Sequence, residues 1–257
     1  MKTIILVNQK GGTLKTSATV TLGHGLARQG RRVLICDLDA QGNCADSLGI
    51  AKTGGLYKLL IDEAGAEAVT PSGRDNLDVI TSDKTTVQVK QILTGRPFRE
   101  QVLANALGEL AGGYDVALVD CAPSVDLLQI SALLAGDGFL VPAALDFLAG
   151  VGVNDVLTTA ATVQAYSDQA AEFMGPIPVL WERVTRESHE QLKMLAEQFR
   201  ALVWPPIPRD VKAREAPAFG QTLWEYAPQC RALIGVEING GRVGGYQAVL
   251  DRLEAWL

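Results

Sequence analysis

The chain has 257 residues, 47% of them hydrophobic and 20% charged, with a mean hydropathy of +0.13. That composition supplies ample apolar surface for a packed core and excludes a disordered or collagen-like chain. A formal net charge of −6 argues against a surface made wholly for nucleic acid, and no apolar run approaches the roughly 18 residues that span a bilayer, so the expected place is the cytoplasm.

Apolar, β-rich runs begin at Thr3 (TIILVN), Arg32 (RVLICD), Leu77 (LDVIT), Asp115 (DVALVD), Gly138 (GFLVP) and Ile177 (IPVLW). Between and after them, helical periodicity covers residues 15–29, 98–110, 127–135, 151–166, 188–201 and 246–257. Strands alternating with helices read as βαβ units, and runs apolar throughout fit a parallel sheet covered on both faces. The predicted fold class is therefore α/β, a doubly wound, mostly parallel sheet with helices on both faces, in one domain over 1–257. Cys36, Cys44, Cys121 and Cys230 show no CxxC spacing and read as reduced thiols. His24 and His189 have no supporting motif for a zinc site or a Ser-His-Asp hydrolase.

The first strand runs into Lys10-Gly11-Gly12-Thr13-Leu14-Lys15-Thr16-Ser17, and a helical pattern follows directly. Adjacent glycines let backbone approach anionic oxygens. The helix N-terminus offers free N–H groups, and Lys15-Thr16 supplies a cation and a hydroxyl for Mg²⁺. A strict GxxxxGK[ST] pattern fails, because Gln9 and Leu14 occupy its two glycine positions, and a plain glycine turn at a strand–helix junction would look similar. The second strand ends in Asp37-Leu38-Asp39, with both carboxylates expected on one side of the sheet's C-terminal edge, where open α/β sheets bind ligands. A later strand delivers Asp120 to the same edge, as a metal-side carboxylate would be delivered.

Together these segments resemble the ParA family of deviant Walker-A ATPases, related to MinD and built on the P-loop NTPase fold. The matching blocks are KGGTLKTS, Asp37 to Asn43 (DLDAQGN), Val119 to Ser124 (VDCAPS) and Ile207 to Gly220 (IPRDVKAREAPAFG), which run in order through most of the chain. The resemblance implies the small Soj-like form, without the extra N-terminal DNA-binding domain of larger plasmid ParA proteins. It implies a weak ATPase that holds ATP or ADP with Mg²⁺ and pairs as a homodimer on ATP. By the same resemblance Lys10 reaches the partner's phosphates, Lys15 holds the β- and γ-phosphates, and Gly11, Gly12, Thr13, Leu14 and Ser17 line the phosphate loop. Thr16 and Asp120 serve the metal, Asp39 positions the attacking water, and Pro208-Arg209 lie near adenine. Leu14 departs from the family's glycine, and a positive φ there would add strain.

The family also implies nonspecific DNA as a partner on the nucleoid, and a ParB-like or adaptor protein that stimulates hydrolysis and links the cycle to a DNA or protein cargo. Residues 1–180 carry the whole excess of −6, residues 181–257 are neutral, and the window 183–214 is locally +3. Arg183, Arg186, Lys193, Arg200, Lys212 and Arg214 are the candidate DNA contacts, and a solvated helix face is the plain alternative for each. Two other readings compete: a MinD-like membrane cycler, disfavoured because the last helix is not basic, and a nucleotide-dependent binding module with little turnover because of Leu14.

Overall fold

The computed structural model describes residues 1–257. Its first half runs β1 (Lys2–Leu6), α1 (Lys15–Arg28), β2 (Val33–Asp37), α2 (Asn43–Leu48), α3 (Gly55–Leu60), β3 (Thr70–Arg74), β4 (Leu77–Ile80), α4 (Thr86–Thr94) and α5 (Val102–Leu110). There follow β5 (Val116–Asp120), α6 (Leu127–Ala135), β6 (Gly138–Ala144), α7 (Ala149–Gln164), β7 (Glu172–Val179) and α8 (Arg186–Phe199). The chain closes with α9 (Lys212–Glu215), α10 (Leu223–Tyr226), α11 (Arg231–Ile234), β8 (Val236–Ile238), β9 (Gly241–Val243) and α12 (Tyr246–Trp256).

Seven strands form one sheet in the order β3-β4-β2-β5-β1-β6-β7. All neighbours pair in parallel except β3, which joins β4 antiparallel with a register break between Pro71 and Arg74. Successive strand residues face opposite layers: Ile5 and Val7 pack among α3 to α7, while Ile4 and Leu6 pack under α1 and α12. This double burial explains the unbroken apolar runs, as a parallel sheet covered on both faces requires.

The six expected strands and six expected helices are present, with ends shifted by a few residues. Strand β3, helix α4, the β8–β9 hairpin and the short helices were not expected. The TPSGR run of β3 carries Pro71 and Gly73 and reads as a turn; it survives as a strand because it lies on the sheet edge. Helix α2 is so short that capping outweighs periodicity, and it is bracketed by left-handed glycines, Gly42 at φ +65° and Gly49 at φ +69°. A Cβ on Gly42 would stand 2.4 Å from the Ser82 carbonyl oxygen, so the turn into α2 excludes a side chain.

The apolar residues of α12, Val249, Leu250 and Leu253, are buried in the core beside α1 together with Tyr246. No helix is long and apolar enough to cross a membrane.

Candidate functional site

Three parallel strands deliver their ends to one place. Leu6, Asp120 and Asp37 lie side by side in register across β1, β5 and β2, so the loop after β1 and two carboxylates share the C-terminal edge of the sheet.

The loop from Gln9 to Leu14 is held at its entrance by Asn8. Its Oδ1 accepts the Lys10 N–H at 2.9 Å, and its Nδ2 donates to the Pro142 carbonyl at 2.8 Å. Beyond it, no backbone N–H from Gly11 through Ser17 has an acceptor within the chain. A Cβ built on Gly11 or Gly12 would meet nothing within 4 Å. The result is an open concavity rimmed by unpaired donors at the positive end of α1, where buried or half-buried N–H groups need an anionic partner. A polyphosphate fits this cradle.

Leu14 takes φ +58° and ψ +29°, the left-handed conformation that glycine adopts without cost. The side chain is half-buried and packs against the α1 layer of the core. Strain of about 1 kcal/mol is stored at the residue immediately before Lys15.

Lys15 is buried, and its Nζ donates to the Lys10 carbonyl at 3.1 Å. Burial lowers its pKa, against the pull of Asp120 and Asp39. Thr16 Oγ1 donates to Asp120 Oδ2 at 2.6 Å, and Thr19 Oγ1 donates to Oδ1 at 3.2 Å. Asp37 and Asp120 are both fully buried, and burial raises both pKa values; the like charge of Asp120 raises that of Asp37 further. Paired hard oxygens around a threonine hydroxyl, next to a phosphate cradle, suit Mg²⁺.

Asp37 and Asp39 do not share a task. Asp37 turns inward and accepts the Asp39 N–H at 3.0 Å and the Cys44 N–H at 3.1 Å, clasping the segment that leads into α2. Asp39 stays partly exposed and accepts the Gln41 N–H at 3.0 Å. Lys10 folds back onto Asp146, whose carboxylate oxygens receive its Nζ at 2.7 and 2.5 Å. Asn8, Thr19, Cys44 and Asp146 were missed by sequence reasoning. Asn8, Thr19 and Cys44 lie beside the motifs; Asp146 is 136 positions from its partner, and no local pattern joins them.

Pro208 and Arg209 lie at the same sheet edge beyond β7. A parallel bridge joins Trp181 to Pro208: the Trp181 N–H donates to Ile207 and the Arg209 N–H to Trp181, each at 2.9 Å. A cavity of about 640 Å³ opens there, lined by Trp181, Glu182, Val184, Pro208, Arg209 and Val236 among others. Strand β7 is two places from β1 in the sheet, roughly 10 Å at ordinary strand spacing.

The six basic candidates of the later segment are exposed but divide in two. Arg186, Lys193 and Lys212 pair with Glu190, Glu197 and Glu215, whereas Arg183, Arg200 and Arg214 have no carboxylate partner. Helix α8 therefore presents alternating charge instead of a basic stripe.

A family model described as an AAA domain matches residues 1–173. The sporulation initiation inhibitor protein Soj of Bacillus subtilis (strain 168) is 33% identical over 235 residues, covering 90% of this chain and 93% of that protein. The chromosome partitioning protein ParA of Caulobacter vibrioides (strain NA1000 / CB15N) is 33% identical over 237 residues, covering 90% and 89%. The crystal structure of cobyrinic acid a,c-diamide synthase from Mycobacterium smegmatis with bound ADP and magnesium superposes with a TM-score of 0.76 at 30% identity, covering 89% of this chain and 96% of that one. Sequence likeness that extends beyond the loop to nearly the whole chain, on a sheet with the expected parallel order, decides the assignment: the chain belongs to the ParA/MinD family of partition ATPases.

Proposed function

We propose that the whole chain works as one ATPase domain that binds ATP or ADP with Mg²⁺, closes into a homodimer on ATP and hydrolyses it slowly. The observation that carries this reading is the unpaired N–H row from Gly11 through Ser17 around an open cradle, with Lys15, Thr16 and Asp120 at its floor. The ADP and magnesium bound by the Mycobacterium smegmatis relative support the same ligands here.

In this reading the N–H groups of residues 11–17 and the Lys15 ammonium hold the β- and γ-phosphates, and the burial that desolvates Lys15 strengthens its attraction to them. Thr16 and Asp120 hold the metal, which neutralises phosphate charge and orients the terminal group when bound. Asp39 positions the attacking water from the exposed end of its turn. Pro208 and Arg209 border the base. Lys10 leaves Asp146 and neutralises charge on the partner's phosphates, as an arginine finger does. Turnover is slow in the lone protomer because no partner cation reaches its phosphates, and its own Lys10 rests on Asp146 until a partner binds.

The ATP dimer binds DNA nonspecifically, mainly through Arg183, Arg200 and Arg214, and a ParB-like or adaptor protein stimulates hydrolysis and release over the nucleoid. The partition names of the relatives support this cycle. Binding of ATP and its conversion to phosphate, followed together with retention on nonspecific DNA, test the reading. Wild type is expected to bind ATP, release phosphate faster with DNA and partner, and stay on DNA in ATP but not ADP; Lys15→Gln is expected to weaken ATP at least tenfold, about 1.4 kcal/mol. Equal DNA retention in ADP and ATP would refute the cycle. ATP binding with no phosphate release under any condition would leave a nucleotide-dependent binding module.

A further inference from the structure

The turn that carries Asp39 is held from outside by one lysine. Asp39 to Gly42 connect β2 to α2, and the Gly42 N–H closes the turn by donating to the Asp39 carbonyl at 2.9 Å. Within it the Gln41 N–H donates to Asp39 Oδ1 at 3.0 Å, while Asp39 Oδ2 has no partner in the chain. Gln41 therefore aims the carboxylate, and its own carbonyl is held in turn, because Lys52 Nζ donates to it at 2.6 Å. The same Nζ donates to Asp46 Oδ2 at 2.7 Å, in the first turn of α2. The lysine stem lies along Gly42, where a Cβ would stand 2.9 Å from Lys52 Cδ and Cε. Lys52 can exert this hold because its own segment is tied to another strand. The Thr53 N–H donates to Thr81 Oγ1 at 3.0 Å and the two hydroxyls lie 2.9 Å apart, with Thr81 fully buried directly after β4. Contacts thus run from the end of β4 through Lys52 and Gln41 to Asp39 at the end of β2.

We propose that Lys52 is a positioning residue for hydrolysis: by fixing the Gln41 peptide it orients the Asp39 carboxylate and leaves Oδ2 free to accept from the attacking water. This assignment rests on the role given to Asp39 above. Lys52 forms no other hydrogen bond in the chain, so its influence passes through the turn and not through the phosphate loop. A small misplacement of a group that orients a reactant is costly in rate. It leaves the contacts that hold the nucleotide before reaction unchanged, and the effect belongs to kcat instead of KM.

Phosphate release from ATP with Mg²⁺ by wild type, Lys52→Met and Lys52→Arg, and by Asp39→Ala with and without Lys52→Met, tests it. Methionine keeps a stem of similar length along Gly42 and deletes the donor. Lys52→Met, at unchanged thermal midpoint, is expected to lower kcat about tenfold with KM for ATP kept within about twofold. Lys52→Arg, which can still donate to the Gln41 carbonyl, is expected to recover most of that loss. In the Asp39→Ala background Lys52→Met is expected to change the remaining rate by less than about twofold, because residues that act as a unit are not additive. Unchanged kcat in Lys52→Met, or an equal tenfold loss in the Asp39→Ala background, overturns the role of Lys52 and leaves that of Asp39 standing. Wild-type turnover by Asp39→Ala overturns the role of Asp39 and the assignment of Lys52 with it.

Discussion

At the scale of single residues, Leu14 is the departure with a measurable consequence. Its left-handed φ is the conformation that glycine accepts freely, and the residue borders the cradle at the first turn of α1. Leu14→Gly relieves about 1 kcal/mol of strain in the free and the ATP-bound chain alike, so its effect is expected in folding stability, with ATP affinity kept within about twofold. Titration of both proteins with a fluorescent ATP analogue checks this, and a difference of about fivefold in the constants would contradict it. The residues at this scale were unequally legible. The placement of Lys15, Thr16 and Asp120 at one sheet edge could be read because each terminates or follows an apolar strand within a short motif. That Asp37 clasps Cys44 could not, since the alternation of a strand places Asp37 and Asp39 on one side without saying which is buried. The pairing of Glu182 with Arg209 depends on a bridge between loops 27 positions apart, which leaves no periodic trace.

At the scale of elements, α1 is tied to the C-terminal segment by His24. Its Nδ1 lies 2.7 Å from Thr222 Oγ1, in a buried site where desolvation depresses its pKa to about 4. Thr222 caps α10, and Glu225 returns the contact while pairing with Arg74. The imidazole is neutral in the folded chain and takes a proton in the unfolded chain below pH about 6.5. Stability therefore falls as pH drops from about 6.5 toward 4, by up to roughly 1.4 kcal/mol per pH unit. Glu225, whose pKa is lowered chiefly by the Arg74 hydrogen bond acting against burial, loses its contribution in the same direction as pH falls through the carboxylate range. Urea melts of wild type and His24→Gln across that window are expected to differ by one proton in slope; parallel pH profiles would rule the histidine out. Most long elements of this fold were readable from periodicity, although α4, as long as α5 and α6, was not. The short ones were not, because α2, α9, α10 and α11 are held by caps and by neighbours from distant parts of the chain.

At the scale of the whole molecule, charge is partitioned. The excess of −6 belongs to the part that carries the nucleotide motifs, and among the six candidates in the balanced remainder three arginines are unpaired and three cations are paired. Affinity for nonspecific DNA is expected to fall with salt, and removing Arg183, Arg200 or Arg214 should each reduce the logarithmic salt slope by about 1. Removing Arg186, Lys193 or Lys212 should reduce it less, since each already has a glutamate as counterion. Binding isotherms at four or five salt concentrations separate the two sets, and equal slopes for both would refute the division.

In the proposed dimer, the Lys10–Asp146 contact would set how the molecule counts its own copies. Both side chains are partly exposed, 31% and 40%, and a pair of that kind holds by no more than about 1 kcal/mol. A clasp so weak withholds the cation about fivefold, small against the attraction of a second protomer's triphosphate, while a solitary protomer lacks the partner cation altogether. In the proposed dimer, catalytic output would then climb with the square of protomer concentration while copies are scarce. Crowding along a stretch of DNA would act as the trigger, and dilution alone would return the chain to rest.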